Sequence, residues 1–437
     1  MRDDSIGQET LPFKLGVTSE IITSRSGLAV FHEAALASGV VAQVRKHLPT
    51  PCSNRGIRPE EYVMPLVLML TGGGQTMEDI REIERDTGLR KLCGFRRIPG
   101  ADAIGIWLKA AHRIVGMRRV NEYLYRGIIA KSQVTNFTLD TDATLIGTEK
   151  KTAEKCYKGF RAFAPLFSFL AELGLCVACE FRNGNVPAGV GVEQQLRQTH
   201  KLLRSTGKRL RYFRSDSAGY QADVVNACRE LGVDFTITAD HDAAVTAIIR
   251  QGSQEGGWTR IFDEKGEPTD REYKTAIHCM EKTEAFTLVM QRYPNPKPDL
   301  FHPEFYRYYV IATSDDKRST KEIIEFHNGR GKAENYNKEL KSGFGMDHAP
   351  CQSLRANAVW LEMGVLAHNL AVAVKRLLLG GEWETKTIGT LRWQLIFIAG
   401  KVVSHGRELW LRVGTCYYEL LKSIREKLRL IFTLTPT

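Results

Sequence analysis

Residues 135–146 read TNFTLDTDATLI, and they decide the fold class because the residue pattern changes there from helical to strand-like. Apolar and polar side chains alternate along the stretch, which is typical of a β-strand with two different faces. Asp140 and Asp142 therefore share one face of the strand. Neighbouring carboxylates repel each other and require a cation or a basic partner. The pattern leaves two interpretations open: a ligand-binding strand, or a polar strand edge that faces solvent.

Strand and helix patterns alternate from this stretch to residue 250, which predicts an α/β sheet covered by helices. Residues 251–307 follow with clustered turn signals and short β-like runs, so they are predicted to form a β-rich insertion. The sheet pattern resumes at YRYYVIATS, residues 306–314. Ser319 is the expected cap of the helical region that comes next.

Five segments make up the predicted domain organisation. Residues 1–133 show helical periodicity and several pairs of adjacent basic residues, which favours a helical DNA-binding region. Residues 134–250 and 308–378 are predicted to be the two parts of one α/β domain, interrupted by the insertion at 251–307. Residues 379–437 form a basic C-terminal region.

The size and charge of the chain narrow the classes of partner. With 437 residues the chain is too long for a single core. A formal net charge of +11 favours a polyanionic partner such as nucleic acid over a small neutral substrate, with a membrane surface as the competing partner. The longest apolar runs are too short, or are interrupted by polar residues, so no transmembrane helix is predicted.

Two features predict a location in the cytoplasm. The first ten residues, MRDDSIGQET, lack the apolar stretch of a secretory signal. The nine cysteines are scattered and odd in number, as expected of a reducing compartment. Cys176 and Cys179 form a C-x-x-C motif within an apolar run, but no second pair matches it. A buried strand is therefore favoured there over a zinc site.

Two further carboxylates stand at informative positions. Asp216 ends the strand pattern LRYFRSD, where open α/β sheets bind ligands, although an aspartate there also suits a helix N-cap. On the predicted helix FHNGRGKAENYNKELKSGF, residues 326–344, a narrow sector contains Arg330, Glu334 and Lys341. The alternative to a functional sector is a surface ion pair between Arg330 and Glu334.

Strand aspartates and a helix glutamate in a basic protein suit two-metal phosphodiester chemistry. Hard carboxylate oxygens hold Mg²⁺, which activates water or a 3′-hydroxyl and stabilises the leaving oxygen. Cations beside the glutamate can hold phosphates, arginine by a two-pronged contact and lysine as a point charge. The residue types therefore indicate a metal-dependent enzyme that acts on nucleic acid.

The motifs resemble those of DDE-class insertion-sequence transposases of bacteria, in the group whose catalytic domain is interrupted by a β-rich insertion. That group carries D-x-T on the first strand, matched by Asp142 in DAT, and an aspartate after a later strand, matched by Asp216. The resemblance implies that both are metal ligands, with Asp140 as the reserve for the first position. It also implies an α/β fold, a ribonuclease-H-like catalytic domain with the insertion, flanked by helical N- and C-terminal regions.

The last helix of that group carries the signature Tyr-x2-Arg-x3-Glu-x6-Lys. Arg330, Glu334 and Lys341 match it at that spacing, and His327 stands at the tyrosine position. The resemblance implies that Glu334 is the third catalytic metal ligand. It further implies that Arg330 and Lys341 contact phosphates, and His327 can still hydrogen-bond to a phosphate through its imidazole.

The resemblance also implies the cofactors and partners. It implies two Mg²⁺ ions per active site, with Mn²⁺ as a substitute, and double-stranded DNA from the terminal inverted repeats and the target. It implies a homodimer in the synaptic complex and no membrane. Members that form hairpins often hold a flipped base against an aromatic ring, and Trp258 in the insertion is the candidate for such stacking. The alternative for Trp258 is packing in a small core.

The function implied by these motifs is DNA transposition by a cut-and-paste route, with metal-dependent strand cleavage and strand transfer. One rival is a catalytically silent DNA-binding protein descended from a transposase, which the intact set of acids argues against. Another rival is a metal-dependent nuclease that cuts without joining. The sequence does not separate this nuclease from a transposase.

Overall fold

The computed structural model describes residues 14–110, 112–263, 265–296 and 305–433, without the side chains of residues 332, 333 and 433. The expectation that the chain begins without a secretory signal concerns residues 1–13 and lies outside this described part. The elements that precede the central sheet are β1 (Ile22–Thr23), α1 (Ser26–Ala37), α2 (Val40–His47), α3 (Pro59–Gly72), α4 (Ile80–Arg85), α5 (Thr87–Cys93), α6 (Ala101–Leu108) and α7 (Arg113–Lys131).

A glycine divides the first long helical pattern into two helices. Gly39 has φ +81°, a left-handed conformation that glycine adopts without steric cost. The axes of α1 and α2 consequently meet at a bend of 64°.

The middle of the chain alternates between strands and helices. Its elements are β2 (Asn136–Ala143), β3 (Ile146–Gly147), β4 (Glu154–Lys155), β5 (Arg161–Phe163), β6 (Leu166–Leu170), β7 (Leu175–Glu180), α8 (Val192–Ser205), β8 (Arg209–Ser215), α9 (Ala222–Leu231), β9 (Asp234–Thr238) and α10 (Ala243–Glu255). Cys176 and Cys179 lie on β7 without a disulfide, in agreement with the strand prediction for the C-x-x-C motif.

The remaining elements complete the sheet and then return to helices. They are β10 (Thr259–Phe262), β11 (Pro268–His278), β12 (Phe286–Pro294), β13 (Tyr306–Thr313), α11 (Thr320–Asn328), α12 (Gly331–Lys338), α13 (Leu354–Ala373), α14 (Ile388–Leu391), β14 (Gly400–His405), β15 (Glu408–Val413) and α15 (Thr415–Thr433). Ser319 caps α11, and its side chain and that of Glu322 form the reciprocal bonds of a capping box.

A mixed sheet of nine strands forms the centre, in the order β10-β11-β12-β13-β9-β8-β2-β6-β7. Only the β2–β8 and β8–β9 pairs are parallel among the described strands, and the other pairs are antiparallel. The predicted α/β class is confirmed. Strands β10 to β12 of the predicted insertion continue this sheet beyond β13 and do not form a sheet of their own.

Helices cover the two faces of the sheet. On one face, His327 of α11 contacts the hydroxyls of Thr236 and Tyr309. On the other face, Ser253 of α10 bonds to the hydroxyl of Tyr308. Because neighbouring strand residues point to opposite faces, Tyr308 and Tyr309 identify the two sides. The first of these faces, covered by α11, also holds Asp140 and Asp142, which alternate with Thr141 along β2.

The most apolar helix lies in the interior. The segment Leu354–Leu379, which is α13 with a following turn of π-helix, is long and apolar enough to cross a membrane, at a mean hydropathy of 1.2. Its apolar window is entirely buried in the protein, which accounts for the composition. Glu362 at its centre accepts hydrogen bonds from Arg118 (3.1 Å) and Asn121 (2.7 Å) of α7. These bonds tie the N-terminal helices to α13.

The C-terminal region packs against the start of the chain. Strand β14 pairs with β15 and with β1, so the two ends of the protein share a three-stranded sheet. Arg425 of α15 donates to both carboxylate oxygens of Glu33 on α1, at 2.9 and 3.0 Å.

A buried ion pair joins the two central strands to helix α11. The guanidinium of Arg214 on β8 donates to both oxygens of Asp140 on β2, at 2.6 and 2.8 Å, and to the carbonyl of Phe326 at 2.6 Å. The Arg214 side chain is 6% exposed and that of Asp140 is 1% exposed. A Cβ at Gly329 would lie 2.6 Å from the guanidinium, so glycine is needed where α11 ends. The pair therefore sets the position of the chain that leads to Glu334.

Arg214→Met is expected to lower the free energy of unfolding by about 3–5 kcal/mol, because it leaves the Asp140 carboxylate buried without its partner. The double variant Asp140→Leu with Arg214→Met should recover much of that loss. Urea unfolding of the purified variants measures both values. Arg81→Met is the matched control, since its ion pair with Glu78 is mostly exposed. A loss for Arg214→Met no larger than for this control would contradict the assigned role.

Candidate active site

The first two predicted acids lie at the ends of adjacent parallel strands. Thr141 of β2 pairs with Ser215 of β8, so the next residues, Asp142 and Asp216, stand at the same level of the sheet. Asp216 also caps the short 3₁₀ turn that follows, since its Oδ1 accepts from the amide of Ala218 at 3.0 Å. The cap predicted as the alternative is thus present together with the ligand-site position. The carboxyl ends of such strands are where open sheets bind ligands.

The third predicted acid lies on a helix that crosses this edge. The predicted continuous helix is broken, since α11 ends at Asn328 and α12 begins at Gly331. Tyr336 anchors α12, because its hydroxyl bonds to the carbonyl of Ala171 at 3.2 Å. Its ring packs on Phe169 with the centroids 5.8 Å apart. These contacts place Glu334 at the mouth of the site, with its side chain 60% exposed.

The electrostatics of Asp142 indicate that the three acids share one site. Burial, and next the negative charge of Asp216, raise the pKa of Asp142 to about 7. Glu334 adds to that repulsion, while Arg330 and a hydrogen bond from Asn337 oppose it. Effects of this kind need neighbouring groups. The structure therefore brings together acids that are 74 and 118 residues apart along the chain, as 216 − 142 and 334 − 216 give.

Arg330 lies between two of the acids. Its guanidinium is 3.1 Å from the Glu334 carboxylate and 3.9 Å from that of Asp142, and its side chain is 18% exposed. The surface ion pair predicted as the alternative for Arg330 and Glu334 is therefore present. The second contact, to Asp142, places the same arginine within the acidic cluster.

Sequence reasoning missed Asn337. Its side-chain amide donates to the Asp142 carboxylate at 2.8 Å, and the residue is only 5% exposed. A signal was available, because a residue three positions after Glu334 lies about 60° from it around a helix. Arg214 was missed as well, although it precedes Asp216 by two residues and so shares its strand face.

The reserve role of Asp140 is corrected by the structure. Asp140 shares a strand face with Asp142 as predicted, but both of its oxygens are bonded to Arg214. A carboxylate engaged in this way at 1% exposure is a structural anchor for the strands. Asp142 is the one of the two that remains at the edge of the site.

The predicted DNA contact of His327 is also corrected. The residue is 1% exposed, and its imidazole lies within hydrogen-bonding distance of the hydroxyls of Tyr309, Thr236 and Thr238, at 2.9–3.1 Å. Burial lowers the pKa of His327 to about 3, with the charges of Arg330 and Arg214 as smaller causes. The ring is therefore neutral and enclosed, and it fixes α11 to the sheet instead of meeting a phosphate.

Lys341 lies on a turn of π-helix that follows α12, and not on the single α-helix that was predicted. Residues 339–343 form a turn of π-helix, which changes the angular spacing after Glu334. The Lys341 ammonium donates to the Thr144 hydroxyl at 2.9 Å and reaches the carbonyl of Leu145 at 3.5 Å. In this arrangement the lysine ties the helix to the loop that follows Asp142.

Trp258 packs against the strands of the insertion and against β13. Its indole N–H bonds to the carbonyl of Gly252 at 3.1 Å, and its ring lies between Arg292 and Tyr308. Tyr308 points to the sheet face opposite the one that holds Asp142. These contacts agree with the packed alternative for Trp258, and base stacking by this residue stays a prediction.

The oxygen-bearing side chains at this sheet edge are of the kinds that bind a hard divalent cation. Asp142 and Asp216 are carboxylates whose mutual repulsion a cation would relieve, and the side-chain oxygen of Asn337 is buried without a hydrogen-bond partner. Across the described ranges, no three His, Cys, Asp or Glu side chains converge closely enough to hold a metal ion. The Glu334 carboxylate is instead paired with Arg330. An exposed glutamate changes rotamer within nanoseconds, so this pairing does not lock the acid outside.

Comparison with known proteins identifies the family of the chain. The sequence matches the protein family described as Transposase DDE domain group 1 over residues 11–431. No curated protein is significantly similar to the chain. Among solved structures, a similar one is the piggyBac transposase in a cryo-EM synaptic complex with hairpin DNA. It is 11% identical, with a TM-score of 0.45, and the match covers 93% of this chain and 83% of that chain.

Acid is expected to destabilise the fold through His327. Its folded pKa of about 3 lies below the ordinary value of 6.5, so between these values only the unfolded chain binds the proton. Stability should fall as pH drops from about 6.5 towards 3, with a slope of about 1.4 kcal/mol per pH unit from this residue. Urea unfolding at pH 7, 6 and 5 measures the slope.

His327→Gln should show a correspondingly flatter pH dependence than the parent protein. His405→Gln is the matched control, because His405 is exposed on β14. The same slope in the parent protein and in His327→Gln would refute the assignment.

Proposed function

Because the chain belongs to the Transposase DDE domain group 1 family, we propose that it is an insertion-sequence transposase that cuts and joins DNA by a cut-and-paste route. It binds terminal inverted repeats, cleaves the strands with Mg²⁺ and transfers the 3′ end to target DNA. The observation that supports this most strongly is the position of Asp142 and Asp216 at the ends of adjacent parallel strands, with Glu334 near enough for its charge to raise the pKa of Asp142. Acids that raise the pKa of a neighbour in this way are typical of catalytic sites.

Each residue of the site has a distinct part in the proposed reaction. Asp142, Asp216 and Glu334 would hold two Mg²⁺ ions, which supply Lewis acidity at the scissile phosphate and an activated water or 3′-hydroxyl. Arg330 carries a planar fork of donors and orients the phosphate, after exchanging its contact with Glu334 for the substrate. Lys341 holds the loop after Asp142 and adds positive charge beside the same phosphate.

The DNA is proposed to pass over the small sheet of β3, β4 and β5, which follows β2. Strand β3 begins four residues after Asp142, within about 14 Å of it along the chain. The β4–β5 hairpin carries Lys155 at the end of β4, and Tyr157 and Lys158 in its turn; both lysines are exposed, and Tyr157 is 84% exposed. Within the described residues, neither lysine has an acidic partner. Lysines without an acidic partner, on a hairpin that follows Asp142 closely in the chain, suit contact with a phosphate backbone.

The wider organisation follows from the same proposal. Strands β7, β6, β2, β8 and β9 would be the ribonuclease-H-like part of the sheet, with the insertion extending it and helical regions flanking it at residues 1–133 and 379–437. Two copies would act together at paired DNA ends. The protein would act in the bacterial cytoplasm, on the nucleoid, and Mn²⁺ would replace Mg²⁺.

A catalytically silent DNA-binding protein is the second candidate, and the ion pair of Glu334 with Arg330 is the observation that favours it. A nuclease that cuts without joining is a third outcome of the same assay. Incubation with DNA from the ends of the element, with and without Mg²⁺, separates all three. Joined strands or hairpins support the proposal, free ends alone indicate a nuclease, and uncut bound DNA indicates a silent protein.

Asp142→Asn, Asp216→Asn and Glu334→Gln are each expected to abolish cleavage while DNA binding stays near that of the parent. Each change removes a metal ligand but little phosphate contact. Gel analysis of cleaved end DNA and a binding titration in EDTA measure the two properties. Glu325→Gln is the control, an exposed acid on the neighbouring helix α11. Full cleavage by any of the three variants would exclude that residue from the site.

DNA contact with the β4–β5 hairpin predicts that replacing its lysines changes the salt dependence of DNA binding. Replacing Lys155 and Lys158 by Gln should reduce the slope of log affinity against log salt by about 1.8, since each lost phosphate contact on duplex DNA contributes about 0.9. Lys201→Gln with Arg204→Gln is the charge-matched control on α8, whose Gln195 contacts the sheet face away from the acids. Equal slopes for the two double variants would place the DNA elsewhere.

A further inference from the structure

Asn337 is a buried polar residue beside Asp142. It is on α12, three residues after Glu334, and it is 5% exposed. Its Nδ2 donates to Oδ2 of Asp142 at 2.8 Å. Helix α12 therefore carries two oxygen-bearing side chains near Asp142. Asn337 is buried against the sheet, and Glu334 is exposed at the mouth of the site.

The orientation of the amide follows from its partner. In the structure the nitrogen of Asn337 faces Asp142, which is the orientation that suits an ionised carboxylate, since that group only accepts hydrogen bonds. The other end of the amide, Oδ1, is then directed elsewhere, and it is buried with no hydrogen-bond partner in the described part of the chain. Burying an oxygen without a partner costs about 1–3 kcal/mol. Such atoms are few in native interiors, and each needs a reason.

A cation is the partner that suits this oxygen. An amide oxygen is a hard, uncharged ligand of the kind that Mg²⁺, Mn²⁺ and Ca²⁺ accept beside carboxylates. It adds a ligand without adding another negative charge to a site where Asp142, Asp216 and Glu334 already repel each other. The remaining basic groups nearby, such as Arg330, are directed at Asp142 and Glu334 instead.

We propose that Asn337 is a fourth oxygen ligand of the divalent-cation site, with Nδ2 orienting Asp142 and Oδ1 binding the cation held by Asp142. This inference rests on the proposed function, because it assumes that the acids hold a metal ion. It goes beyond that function by adding a neutral ligand that lies outside the arginine, glutamate and lysine signature. A purely structural amide, which only ties α12 to β2, is the explanation that the test must separate from it.

Binding of Mn²⁺ to the full chain without DNA, measured by isothermal titration, is the test. Asn337→Leu keeps the approximate size but removes both the N–H and the oxygen, and it should weaken Mn²⁺ binding about 10- to 100-fold. Asn337→Asp keeps an oxygen and should bind Mn²⁺ within a few-fold of the parent. In thermal melts, Asn337→Asp should be destabilised without Mn²⁺, because two carboxylates then face each other, and should gain more stability from Mn²⁺ than the parent does.

Two further variants make the result decisive. Asn335→Leu is the matched control, since Asn335 is exposed on the same helix, and it should bind Mn²⁺ like the parent. Asp142→Asn reports on the site itself: if Mn²⁺ binding is unchanged in it, the metal site of the proposed function is wrong. If Asp142→Asn loses Mn²⁺ and Asn337→Leu does not, only the ligand role of Asn337 is overturned. Should Asn337→Leu fail to fold, equal Mn²⁺ stabilisation of the parent and Asn337→Asp overturns it.

Discussion

The buried ion pair between Asp140 and Arg214 is the interaction on which the site depends. Arg214 belongs to β8, the strand that leads to Asp216. Its guanidinium bonds to Asp140 on β2, the strand that carries Asp142, and to the carbonyl of Phe326 near the end of α11. Arginine suits this place because its planar head donates in several directions at once. Taking two charges out of water is costly, and the extra hydrogen bonds offset that cost. The geometry of the proposed active site therefore rests on a pair that is itself shielded from solvent.

The pair between Asp140 and Arg214 gives the two aspartates of this strand face different electrostatic environments. Asp140 is neutralised by Arg214, whereas Asp142, two residues later, meets the charges of Asp216 and Glu334 and has a pKa near 7. The carboxylates therefore repel each other at the sheet edge, whereas the charge of Asp140, two residues further inside, is balanced by Arg214. Such a distribution favours a cation at the edge and excludes one from the interior.

Helix α11, which precedes the helix that carries Glu334, meets the sheet that continues into the insertion through His327. The imidazole contacts Tyr309 on β13 as well as Thr236 and Thr238 on β9, and β13 is the strand to which the insertion strands are attached. Because β10 to β12 continue the same sheet, a displacement of the insertion would act on α11 through this contact. The histidine at the signature tyrosine position therefore has a clear structural role, which is to connect the two parts of the protein.

The local pattern of residues predicted the strands of the central sheet, the cap of α11 at Ser319 and the shared face of Asp140 and Asp142, because alternation and capping depend on neighbours in the chain. The family resemblance added which acids belong together. Only the tertiary structure decided that Arg214 engages Asp140, that His327 is enclosed, that Trp258 lies on the far face and that Asn337 reaches Asp142. These outcomes depend on which side of the sheet each segment covers, and the contacts of Arg214 with Asp140 and of Asn337 with Asp142 join residues 74 and 195 positions apart in the chain. Spacing within one helix or strand carries no information about such contacts.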